Sequence, residues 1–165
     1  MHVQRNFLCI HITRQRIGLA VFEGGDLELI TGKPLPPGNS SRAERAKFIQ
    51  RLEDLLDRHH IGVVVIKRLT VQQRGSLAIA HTHKRIQRLV IRSGLSLVIR
   101  DRRFDKRSFR TVETGDLAIK YPELRKYLRG AKPWERRYYS HVVKAVLLGV
   151  TALSEPNFEE RTDED

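Results

Sequence analysis

A chain of 165 residues, 40% hydrophobic and 30% charged, suits one globular domain with a sizeable core. Its net charge of +12 argues for a polyanionic partner, foremost nucleic acid, because neutralising phosphates supplies sequence-independent affinity. The lone Cys9 excludes an intrachain disulfide and a cysteine metal cluster, and no apolar run is long enough for a membrane helix.

The chain opens on Phe7-Leu8-Cys9-Ile10-His11-Ile12, apolar and β-prone enough for a strand buried on both faces. Arg5 interrupts the short apolar start, so no signal peptide is visible and the expectation is a soluble, cytoplasmic protein. A second strand is predicted from Arg16 to Phe22 and a third from Leu27 to Thr31. Between them, Glu23-Gly24-Gly25-Asp26 is a hairpin signal. Pro34, Pro36, Pro37 and Gly38 then mark a loop. Ser41 and Glu44 have capping-box spacing for a helix reaching about Arg58, with Ala46, Ile49, Leu52, Leu55 and Leu56 as its apolar stripe. Ile61–Ile66 reads as a fourth strand, Gly75-Ser76 opens a second helix, and Gly94 caps its end. Leu95–Arg100 reads as a fifth strand. The segment 101–120 is polar, basic and loop-like. Pro122 suits the first position of a short helix closed by Gly130. Trp134 to about Leu153 is a long final helix, apolar from Val142 onward.

The order β-β-β-α-β-α-β-α implies an α/β domain over residues 1–154. Its later strands pair in parallel through helical crossovers, giving a five-stranded mixed sheet flanked by helices. Residues 155–165 carry six acids against Arg161, a net of −5. Such a polar segment has little to bury and reads as a disordered tail.

The stretch Ile10-His11-Ile12-Thr13-Arg14-Gln15-Arg16-Ile17-Gly18-Leu19-Ala20-Val21 resembles the opening of the RuvC and YqgF families of the ribonuclease H-like superfamily. Those families begin with an apolar strand, then Asp-x-Gly-Thr or similar, then Arg-Ile-Gly-x-Ala-Val. On this resemblance the aspartate falls on His11, and the glutamate that ends the fourth strand falls on Lys67. The final helix carries an acid or histidine three places before an aspartate. Here His141 fits the histidine variant and Lys144 replaces the aspartate. The resemblance therefore implies a ribonuclease H-like fold whose metal-binding acids are gone.

Nucleases of that fold use two divalent ions to activate water and stabilise the leaving oxygen. Mg²⁺ needs oxygen ligands with compensating negative charge. Histidine and two lysines supply neither, and each ammonium would repel a unit cation at 4 Å by roughly 4 kcal/mol at an intermediate dielectric. No cofactor or metal is expected. The plainer readings are a hydrogen-bonded core histidine at 11, a strand-end Lys67 with a buried stem, and Lys144 at the solvated edge of its helix.

The remaining candidates are basic. Arg100, Arg102, Arg103, Lys106, Arg107 and Arg110 form the densest run, interleaved with Phe104 and Phe109, which would either stack on bases or anchor the loop. Lys67, Arg68 and Arg74 follow the fourth strand, Arg14 and Arg16 flank His11, and Lys132, Arg136 and Arg137 surround Trp134. His81 and His83 point to different faces of one helix, and His59-His60 lacks a partner motif. The expected function is a catalytically inactive, RuvC-like protein that binds structured or branched DNA or RNA, with a homodimer or larger assembly left open. Two alternatives stand beside it. One is a nuclease of the Holliday-junction-resolvase or rRNA-processing type, with a displaced site drawn from Asp101, Asp105, Glu113, Asp116 and Glu135. The other is a subunit of a larger assembly.

Overall fold

The computed structural model describes residues 5–100, 119–125 and 140–154. Three antiparallel strands come first: β1 (Phe7–Ile12), β2 (Arg16–Glu23) and β3 (Asp26–Pro34). Then follow α1 (Arg42–Arg58), β4 (Val63–Lys67), α2 (Val71–Arg74), α3 (Leu77–Arg92), β5 (Ser96–Arg100), a 3₁₀ turn (Pro122–Leu124) and α4 (Ser140–Ser154). The sheet order is β3-β2-β1-β4-β5, with β1, β4 and β5 mutually parallel. This is the expected five-stranded mixed sheet.

Local chemistry explains the element ends. Gly24 and Gly25 hold φ of 57° and 92° in the β2–β3 turn, the left-handed geometry that a two-residue hairpin needs. Ser41 and Glu44 form both halves of the capping box. Alanine at 41 is therefore expected to cost about 1 kcal/mol in urea-unfolding free energy. Gly94, at φ 70°, closes α3 while the amides of Gly94 and Leu95 return to the carbonyls of Ile91 and Val90.

The structure moves some boundaries. β4 runs to Lys67 and starts at Val63, because Gly62 N–H bonds back to Asn6 before the ladder begins. The four-residue α2 was not anticipated. It is capped by Thr70 and Gln73, another capping box. Pro122 opens a 3₁₀ turn, and the rest of the short helix expected up to Gly130 lies beyond Arg125, outside the described residues. Gly130, Trp134 and the acidic tail lie outside the described residues.

Strand alternation splits the core into two layers. Leu8, Ile10, Val64 and Ile66 face α1 and α3, with Leu52, Leu56, Ile79, Ile86 and Leu89. Phe7, Cys9, Val63 and Val65 face α4, with Val143, Ala145, Val146 and Leu147. Burial pushes the Cys9 thiol well above its ordinary pKa, which makes it an inert core group. Among the described residues no helix is long and apolar enough to cross a membrane.

Candidate functional site

One cross-strand row defines the site. Gly32 of β3 pairs with Gly18 of β2, and Gly18 pairs with His11 of β1. The β1–β4 register, Ile10 beside Ile66, continues to place His11 beside Lys67, and Lys67 pairs with Arg100 of β5. His11, Lys67 and Arg100 thus stand at the carboxyl ends of the three parallel strands. By alternation all three share the α4 face with Cys9, Val65 and Val98.

The two glycines make room for α4. A Cβ on Gly18 would collide with the His141 carbonyl, and one on Gly32 with the His141 ring. The first turn of α4 therefore lies directly on the sheet. His141, 2% exposed, accepts a hydrogen bond from Arg16 Nε at its Nε2, at 3.4 Å. That bond requires a lone pair on Nε2, which leaves the proton of the neutral ring on Nδ1. Lys144 lies one turn on, at i+3, and shares the sheet-facing side.

His11 is the electrostatic centre of this group. It is 7% exposed, and among the described residues its Nδ1 has no hydrogen-bond partner. Its pKa falls to about 3, first through burial and then through the ammonium charges of Lys144 and Lys67. The ring is therefore neutral at physiological pH. Strand register and the seating of the first turn of α4 on Gly18 and Gly32 bring His11, Lys67, His141 and Lys144 to one face of the sheet. His11 is not the hydrogen-bonded core histidine of the plainer reading.

The surrounding loops tie the other cations to this edge. Arg14 is exposed in the β1–β2 turn, where Thr13 N–H donates to Arg16 O at 2.9 Å. Arg68 is exposed just after β4, and its amide donates to Arg100 O at 2.8 Å. Gln73 of α2 donates to Ile12 O at 3.1 Å, which holds α2 and the exposed Arg74 beside the end of β1. His83 of α3 lies 3.4 Å from Lys67 O through Nε2, and burial lowers its pKa. His81 is exposed on another face. His59 pairs with Glu23 at 2.7 Å, a partner that sequence spacing did not reveal. Arg102, Arg103, Lys106, Arg107 and Arg110, and the Trp134 region, lie outside the described residues.

Among the described residues the donor set does not fit a hard divalent ion. Mg²⁺ takes oxygen ligands, whereas this cluster presents two imidazoles, one already accepting from Arg16, and two ammonium groups. Among the described residues no group of three or more His, Cys, Asp or Glu side chains could hold a metal. What the arrangement offers is cations and N–H donors along one edge, the chemistry of phosphate contact. Sequence reading missed Gly18 and Gly32 as parts of the site, because only strand register brings them into one row.

No family model and no curated protein matches the sequence. Among solved structures, the fold is similar to T. thermophilus RuvC in complex with a Holliday junction substrate. The TM-score is 0.65 at 14% identity, over 96% of each chain. It is also similar to a second Thermus thermophilus RuvC structure, with TM-score 0.61 at 14% identity, over 94% of this chain and 95% of that one. At such identity the likeness establishes the fold, which is RuvC-like and ribonuclease H-like.

Proposed function

We propose that this RuvC-like chain binds structured or branched nucleic acid through its cationic edge and does not cleave it. The observation that carries this reading is the convergence of Lys67, Lys144 and His141 on a neutral, buried His11. In that place the lysines meet phosphate oxygens directly, and among the described residues no group there is suited to activate water through a metal. The net charge of +12 supports a polyanionic ligand. The RuvC to which the fold is similar was solved with a Holliday junction, which makes branched DNA the first substrate to try.

Two assays on a four-way junction, duplex DNA and structured RNA test it. With Mg²⁺ or Mn²⁺ no cleavage is expected. Robust cleavage abolished by one carboxylate substitution would instead assign an active nuclease with a displaced site. In binding titrations across salt, Lys67→Ala and Lys144→Ala are each expected to weaken binding and to lower the log–log salt slope by about 1. A slope that neither variant moves sinks the lysine assignment. A flat salt response in the parent protein sinks nucleic-acid binding and favours an assembly subunit.

A further inference from the structure

On the side of the sheet away from α4, the loop before α1 meets α1 and α3 around a niche of about 10 Å³, room for one water-sized atom. Ser40, Arg45, His81, Thr82 and Arg85 line it, with Pro36, Pro37 and Gly38 along one wall. Two of its polar groups are stranded. Ser40 is 8% exposed and, among the described residues, its Oγ has no hydrogen-bond partner; Arg45 Nε is also buried without one there. Buried donors are nearly always satisfied in native proteins, so two in one niche need an explanation.

The charge at the niche is one-sided as well. Arg45 and Arg85 come from different helices and are close enough to oppose each other's charge. Partial burial, then Arg45 and Arg88, lower the pKa of Arg85. Among the described residues neither Arg45 nor Arg85 has a carboxylate partner. The nearest acid of α1, Glu44, is committed to the Ser41 amide in the capping box. Ser40 also precedes the N-terminus of α1, a 17-residue helix whose dipole adds positive potential there.

We propose that Ser40, Arg45 and Arg85 form a second anion site that takes a phosphate group. One oxygen enters the niche to accept from Ser40 Oγ and Arg45 Nε. The others face the Arg85 guanidinium and His81 at the mouth. The shared chemistry fits a backbone phosphodiester or a free phosphate. The site uses neither Lys67 nor Lys144, so it stands or falls separately from the reading of the α4 side.

The test is a ¹H–¹⁵N NMR titration of the full chain with inorganic phosphate, against sodium chloride at matched ionic strength. Saturable shifts of the Arg45 Nε–H and the Ser40 and Ser41 amides are expected with phosphate alone. Arg45→Gln and Arg85→Gln are each expected to weaken phosphate binding about tenfold. Ser40→Ala, which keeps both arginines and the Ser41 cap, is expected to weaken it less. Arg58→Gln, exposed at the far end of α1, leaves it unchanged. Displacement of phosphate by a short DNA oligonucleotide supports the site with a phosphodiester as ligand; saturable binding without displacement supports it with free phosphate. Equal shifts with chloride overturn the proposal. So does phosphate affinity that survives in both arginine variants, or that is lost only in the Lys67→Ala, Lys144→Ala double variant.

Discussion

Acidification from pH 7 to pH 4 is expected to remove about 3 kcal/mol of folding stability through the His11 ring alone. The folded-state pKa of His11 is about 3, against 6.5 for a free imidazole. Below 6.5 the unfolded chain takes up a proton that the folded chain refuses. Stability therefore declines by about 1.4 kcal/mol per pH unit as pH falls from 6.5 toward 3, and this contribution levels off below 3. Above 6.5 both states leave the ring neutral and the effect vanishes. Urea unfolding at a series of pH values reads it directly. His83, also depressed by burial, adds to the trend with the same sign, so the comparison is with His11→Val. That variant loses the His11 share of the slope whatever its absolute stability. If it keeps the parent slope, His11 is not the source, and the depression ascribed to its burial and to the Lys144 and Lys67 charges is wrong.

Alanine at Gly18 is expected to cost about 3 kcal/mol, the largest effect of any single added methyl here. Its Cβ would meet the His141 main-chain carbonyl, and backbone cannot swing aside as a side chain can. Relief requires lifting the first turn of α4 off β2, which also carries His141 away from Arg16 and Lys144 away from His11. Gly32→Ala meets the His141 ring instead, so it costs less and chiefly breaks the bond to Arg16. Gly62→Ala is the control. Its Cβ would lie 3.4 to 3.7 Å from the Arg5 side chain, ordinary contact, and a change within about 0.5 kcal/mol is expected. Denaturation curves report the stabilities, and the His141 ring resonances report the displacement. An unperturbed His141 in Gly18→Ala would contradict the close seating of α4.

Most of the fold was legible because local signals and periodicity agreed. Gly24-Gly25, the Ser41–Glu44 box and Gly94 each sit where their turn or cap requires. The short α2 escaped notice because four residues show no apolar period, although its own capping signal, Thr70 and Gln73, was present in the chain. The site was legible in part. His11, Lys67, His141 and Lys144 came from a family pattern laid along the chain. Gly18, Gly32 and Arg100 belong to the same row only through pairing between strands distant in sequence. Arg16 reaches His141 across 125 residues. The Ser40–Arg45–Arg85 niche needs two helices and a loop in contact, and nothing in the spacing of those residues announces it.

The alternation that places Lys67 on the α4 face also bears on how the strands find their partners. Val64 and Ile66 belong to the layer under α1 and α3, whereas Val63 and Val65 belong to the other. A slip of β4 by one residue would exchange the two faces. Four consecutive apolar residues, Val63 to Ile66, would barely register the exchange, because either face of such a strand suits a hydrophobic layer. Lys67 would register it, since its ammonium would be turned among leucines and isoleucines with no water and no counter-charge. Arg100 imposes the same penalty on β5. The cations that mark the candidate site thereby act as alignment marks for two strands whose apolar sequences alone would pair in more than one way.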